Sequence, residues 1–276
     1  MKKLLYLGLL MTFFACKKSD KPSSELATIV GDYYEEQLKL NPGSATANGD
    51  NRYNDQLNID FTDSHRALVK SVLEKYQQSL AALNREDLNA NDQITYDLLT
   101  RDIKLGLEGL TYPDLTFAQL GSGQVIQPFK TVKDYENWAK RMKKGVAYLD
   151  SSIVYFRRGM KEDYMLPKAL VVKIIPQLTS FAVKDIKEST FYGPLKQFPA
   201  SFSEADKKRI TAEYTAAIQN EVLPAYARLA TFIQNEYLPK ARTSTGISAL
   251  KNGAAYYQYL IRVLTTTDKP ADEIYQ

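Results

Sequence analysis

Few residues in this chain are equipped for acid–base or metal chemistry, and their spacing limits what they can do. His65 is the only histidine, so two imidazoles cannot share a zinc ion and a His-Glu-x-x-His motif is impossible within these residues. It falls in a polar helix start, Thr62-Asp63-Ser64-His65-Arg66, which reads as a solvated imidazole rather than a general base. Cys16 is the only cysteine and follows the small residue Ala15; with no second thiol, a disulfide or a zinc-thiolate site is excluded from the rest of the chain. Glu221 and Glu236 occupy matching places in an internal echo, Asn220-Glu221-Val222-Leu223-Pro224 and Asn235-Glu236-Tyr237-Leu238-Pro239. Fifteen helical residues set them roughly 22 Å apart, too far for two carboxylates to work on one bond. Asp50, Asn54, Asp55 and Asp60 invite a calcium reading, but their spacing is not that of the twelve-residue calcium loop, and a turn-rich segment explains them. Gly121-Ser122-Gly123 lacks the flanking residues and strand–turn–helix setting of a nucleophile elbow. Arg242, Tyr256 and Tyr257 form the remaining candidate set, because guanidinium and phenol groups can hold a carboxylate or a peptide-like substrate, although packing accounts for the tyrosines equally.

The elements that must position these residues are helices. No sustained period-two alternation appears, so the class is all-α: an irregular multi-helix bundle with long kinked helices and loop-rich connections. The organising stretch is 203–267. Ser203 and Asp206 form a capping pattern, and apolar residues then recur at three-and-four spacing from Ile210 to Ile233. Pro224 and Pro239 predict a kink and an end or second bend, since each removes a backbone donor and crowds the carbonyl four residues back. Upstream, a first helix starts near Ser23 or Ser24 and is stopped by Asn41-Pro42-Gly43. Helices over 63–83, with Leu68, Leu73, Tyr76 and Leu80 on one face, and 91–109, with Ile94, Leu98, Ile103 and Leu107, are expected to pack antiparallel across a short link. Thr131 and Asp134 start a helix that reaches about residue 159, on which Trp138 reads as core. Pro167 opens the next helix and Pro176 should kink it. Asp268, Pro270, Asp272 and Glu273 signal a last helix with no stop signal after it, which predicts a longer protein of which this is the N-terminal part.

The N-terminus carries a targeting pattern. Lys2 and Lys3 precede an apolar run over 4–15 that is shorter than the roughly 20 residues a bilayer span requires, and Cys16 follows it. The expected organisation is a lipoprotein signal peptide over 1–15, lipidation of Cys16, a tether over 16–24 and a helical domain over 25–276. That places the protein on the bacterial cell envelope by its lipid, at the outer membrane facing the periplasm or the surface. The formal charge of +4 loses the two leader lysines to become +2, with both signs well mixed, which argues against nucleic acid as a partner. Nineteen tyrosines against one tryptophan point to amphipathic core-edge packing rather than a sugar-stacking platform.

Asn41-Pro42-Gly43-Ser44-Ala45-Thr46 with 49–53, then Tyr237-Leu238-Pro239-Lys240-Ala241-Arg242 with Gly246, Asn252-Gly253-Ala254-Ala255-Tyr256-Tyr257 and 265–274, together resemble the bacterial domain of unknown function 885 family (DUF885) of candidate lipoproteins. Lys251-Asn252-Gly253 departs from that family's usual proline before the glycine. The resemblance implies a mostly helical relative of zinc metallopeptidases whose His-Glu and Pro-Gly-His metal motifs lie in a C-terminal half beyond this chain. It also implies no cofactor here, zinc in the full-length protein, Arg242, Tyr256 and Tyr257 lining the cleft, and the other half as a partner. Two readings therefore stand: the N-terminal portion of a lipid-anchored envelope metallopeptidase-like protein, inactive alone, or a helical lipoprotein that binds a glycan or peptide without catalysis.

Overall fold

A computed structural model describes residues 21–113 and 127–276; the leader, Cys16 and Gly121-Ser122-Gly123 lie outside the described residues. Among the described residues every regular element is helical, and a single isolated bridge joins Pro167 to Arg242. Ten α-helices follow in order: α1 (Ser24–Leu40), α2 (Pro42–Ala47), α3 (Asp63–Ala81), α4 (Ala90–Gly109), α5 (Val132–Lys161), α6 (Lys168–Phe181), α7 (Glu204–Ala217), α8 (Leu223–Phe232), α9 (Gly253–Thr265) and α10 (Ala271–Tyr275).

Side-chain caps set half of the α-helical starts. Ser23, Thr62, Asn89 and Ser203 each accept a hydrogen bond from a first-turn N–H of α1, α3, α4 and α7. Thr131 and Asp134 make a reciprocal capping box at the head of α5. α1 ends at Leu40, the stop expected at Asn41-Pro42-Gly43, and Pro42 has a second role. Its missing N–H is harmless in a first turn, so it opens α2 instead of merely ending α1.

Two apolar cores result. Leu26 of α1 packs with Leu73, Tyr76 and Leu80 of α3 and Ile103 of α4, a three-helix unit. The larger core gathers α5, α6, α7 and α8 around Tyr135, Val171, Leu178, Tyr214 and Leu229. Leu68, Ile94 and Leu98, expected on buried faces, are all more than half exposed. Periodicity marks a side as apolar but does not say which neighbour covers it.

The first part of the organising stretch, from Glu204 to Lys240, is one rod in which α7 and α8 are joined by a π-helical turn over Ile218–Val222, with a second over Ile233–Tyr237. In each, a leucine N–H reaches the carbonyl five residues back, Leu223 to Ile218 and Leu238 to Ile233, immediately before a proline. The wider turns lie just before Pro224, where a kink was expected, and Pro239, where the helical rod ends at Lys240 as one of the two expectations had it. Each gives the proline ring room against the preceding turn. They also keep the buried face in phase. Tyr214, Ile218, Val222 and Tyr226 are all buried at steps of four, as are Leu229, Ile233 and Tyr237. A straight α-helix would carry such a row around its axis by about 40° per step.

At the end of the rod, Tyr237 is 1% exposed and its hydroxyl accepts the Leu166 N–H at 2.8 Å, tying the α5–α6 link to the second π-turn. Replacing Tyr237 with Phe leaves that N–H without an acceptor, and an unfolding free energy lower by about 1–2 kcal/mol is expected in urea titration.

Candidate functional site

Two concave regions could receive a ligand. The first is a cleft of about 400 Å³ between the α1–α2 corner, the segment around Leu57, α5 and α8. α5 supplies Trp138, Arg141, Met142, Gly145, Val146 and Leu149, which recur at the three-and-four spacing that aligns side chains on one helical face. Val222 from the first π-turn, Tyr226 from α8 and Phe191 close the opposite wall. Phe191 stacks on Trp138 with ring centres 6.4 Å apart. The wall is mostly apolar, and burial pushes the Tyr226 phenol up to about 12.

Arg141 is the polar centre of this cleft, at 6% exposure. Its Nε donates to Gln56 O at 3.0 Å, and its Nη2 donates to Tyr53 O and Thr46 Oγ1, both at 2.8 Å. Thr46 Oγ1 in turn lies 2.8 Å from Asn54 Oδ1 and 2.9 Å from Pro42 O, one of which takes its proton. Asn58 Nδ2 donates to the Lys39 and Leu40 carbonyls, pinning the same segment to the end of α1. Burial pulls the guanidinium down to about 10, still charged at neutral pH, with Asp55 pulling weakly the other way. Asp55 itself accepts from Gln56 Nε2 and lies 3.9 Å from Lys140 Nζ.

The second region, about 380 Å³, is more polar and lies among α3, the end of α4, α5 and Tyr237. Its charges are largely engaged with each other. Arg158 pairs with Asp63 at 2.8 Å and Glu162 at 3.0 Å, and Arg66 Nη2 donates to the Leu110 and Tyr112 carbonyls. Tyr112 stacks on Tyr256 at 4.9 Å, so one of the sequence candidates lies beside this region.

The other sequence candidates separate. Arg242 donates through Nε to Met165 O at 2.8 Å and through Nη1 to Ser244 O at 2.6 Å and Gly246 O at 2.8 Å, so its guanidinium organises the turn around itself. Tyr257 is exposed on α9. Glu236 is paired with Arg157 at 2.8 Å, which holds its carboxyl below the usual range, and Glu221 is exposed. His65 is half-buried at the head of α3, and burial lowers its imidazole. Asp50 binds Arg52, and Asn54 is fully buried against Thr46 and Asn51. Among the described residues no group of three or more His, Cys, Asp or Glu side chains is placed to hold a metal ion, so the zinc implied by the resemblance finds no ligand set among them. No helix among them is long and apolar enough to cross a membrane.

Arg141 escaped the sequence reading because its acceptors lie 85 to 95 positions away in the chain. The available signal was a lone basic residue on an apolar helical face, between Trp138 and Met142.

With this geometry in place, residues 42–276 match the model of a family described as "Bacterial protein of unknown function (DUF885)". No curated protein matches the chain. Among solved structures, a candidate lipoprotein from Colwellia psychrerythraea superposes with a TM-score of 0.76 at 16% identity. The match covers 93% of this chain and 48% of that one, so this chain spans about half the length of its solved neighbour.

Proposed function

Because the chain belongs to the DUF885 family of bacterial proteins of unknown function, we propose that it is the N-terminal, non-catalytic portion of a lipid-anchored envelope protein of the zinc-metallopeptidase type. The observation that carries the reading is the length ratio: one continuous fold accounts for nearly all of this chain and only 48% of its neighbour. Exposed apolar side chains support it. Ile94 and Leu98 on α4 and Val263 and Leu264 on α9 lie on two helices that pack together, and they offer a surface for a further part of the protein to cover. In this reading Cys16 carries the lipid, zinc is held outside this chain, and Arg242, Tyr256 and Tyr257 contribute to the walls of a path for a peptide-like substrate.

The natural gene product, purified and assayed for metal by mass spectrometry and for hydrolysis of a quenched peptide library, is expected to hold about one zinc per chain and to lose hydrolysis with chelation. Residues 21–276 alone are expected to show neither. Stoichiometric zinc or hydrolysis in residues 21–276 would overturn the assignment, as would a zinc-free and inactive natural product. The latter outcome leaves the second reading, a helical lipoprotein that captures a ligand without catalysis, which the mostly apolar first cleft favours.

A further inference from the structure

We propose that the cleft between α5, α8 and the α1–α2 corner is a binding site for small amphiphilic carboxylates, with Arg141 taking the carboxylate and the apolar walls taking the stem. The inference stands apart from the hydrolytic reading, since it needs no metal and uses none of the residues assigned there.

The charge balance is the first argument. Arg141 is buried, yet all three of its hydrogen bonds go to neutral oxygens, at Gln56, Tyr53 and Thr46. Asp55 acts on it only through space and is already engaged by Lys140 and Gln56. A buried charge without a counter-charge is costly, and clamping three neutral oxygens does not by itself require a cation. Among the described residues Nη1 makes no hydrogen bond, so two of the five guanidinium donors remain, both on that nitrogen. A charge-assisted bond to one carboxylate oxygen would use them.

The surroundings give the second argument. One turn before Arg141 on the same helix, Trp138, which lines the same cleft, buries an Nε1–H that has no acceptor among the described residues. Buried polar groups are nearly always satisfied, so this donor marks where an acceptor belongs. Beyond the two donors the walls are mostly apolar, from Met142, Leu57, Leu149 and Tyr226, and about 400 Å³ lies within the usual range of small-molecule sites. Gly145 keeps the middle of the cleft open. A Cβ there would meet only Leu57 Cδ2, at 4.0 Å. Asp60, exposed on the lining, disfavours ligands with several negative charges and so selects a monocarboxylate over phosphate.

The shared chemistry, a carboxylate on an apolar stem, is found in fatty acids and in the C-termini of peptides. Titration calorimetry on the natural protein with decanoate and with N-acetyl-phenylalanine separates these sources, with decanol and N-acetyl-phenylalaninamide as uncharged counterparts and inorganic phosphate as competitor. At least one acid is expected to bind roughly tenfold or more tightly than its uncharged counterpart, with phosphate failing to displace it. Gly145→Leu, which fills the cleft on a helix that tolerates leucine better than glycine, is expected to abolish binding with the melting temperature unchanged or raised. Arg141→Gln is expected to remove the preference for the acid over its counterpart. Should Arg141→Gln fail to fold, the acid-to-neutral ratio and Gly145→Leu decide the matter. Binding of decanoate alone assigns the site to fatty acids, and of the acetylated amino acid alone to peptide termini. Failure of both acids, equal binding of acid and counterpart, or undiminished binding by Gly145→Leu would each overturn the proposal.

Discussion

Truncating Leu229 to alanine is expected to lower the unfolding free energy by about 3–5 kcal/mol, the upper range for a leucine in a core that cannot collapse around the loss. Leu229 sits near the middle of α8 with no solvent exposure, inside the larger core. α8 is in contact with both α5 and α6, and all three are tied to further helices, so the void has little freedom to close. Urea titration should show the midpoint fall with the slope unchanged, the sign that stability rather than the denatured state has moved. Leu68→Ala serves as the internal comparison, since that side chain is 53% exposed on α3 and its loss should stay within about 0.5 kcal/mol. A Leu229 effect no larger than the Leu68 effect would mean that α8 is not packed as described.

The second large effect is local. Gly253→Ala is expected to cost about 3 kcal/mol, concentrated in α9. Gly253 opens that helix directly against the preceding loop, where a methyl group would overlap Ile247 O and approach Ser248 Cα to 3.0 Å. Backbone atoms cannot swing aside as a side-chain tip can, and the neighbouring Asn252 already holds a left-handed conformation at φ +58°. The loop must therefore open, and α9 must shift from its seat on α4, where Arg262 O accepts from Arg101 Nη2 at 2.6 Å and the Arg262 guanidinium meets the Glu108 carboxylate. Hydrogen exchange should accelerate across 253–265 while α5 and α8 keep their protection. Unchanged exchange in α9 would show that the loop accommodates a methyl group and that the close approach is not a constraint.

How far the sequence carried the fold can be seen helix by helix. Caps are local chemistry, and Ser23, Thr131 with Asp134, and Ser203 were readable because a hydroxyl or carboxyl three residues from a donor is the whole device. The α3–α4 pair followed from two apolar patterns and a short link. Asn41-Pro42-Gly43 ended α1 as expected, but α2 went unseen because a proline after an asparagine serves equally as a stop and as a first-turn residue, and only the following backbone distinguishes them. The fate of Ile94 and Leu98 depends on what lies across from α4, which no local window contains. The cleft was the least legible feature. Trp138 was placed correctly among buried residues, but its partner Arg141 acquires meaning only when the segment over 46–56 folds back onto α5.

A π-turn is, in effect, an α-helix carrying one residue too many, and the rod over 204–237 carries two such surplus residues fifteen positions apart. Their flanks are nearly the same heptad, Ile-Gln-Asn-Glu-Val-Leu-Pro and Ile-Gln-Asn-Glu-Tyr-Leu-Pro. Shedding the first surplus residue would rotate everything downstream by about 100°, turning Phe232, Ile233 and Tyr237 away from the core they now fill. Shedding the second would misdirect only the tail that leads to Arg242 and the bridge to Pro167. The two irregularities thus act as ratchet teeth of unequal consequence: the first sets the phase of the core, and the second sets the direction in which the chain leaves it.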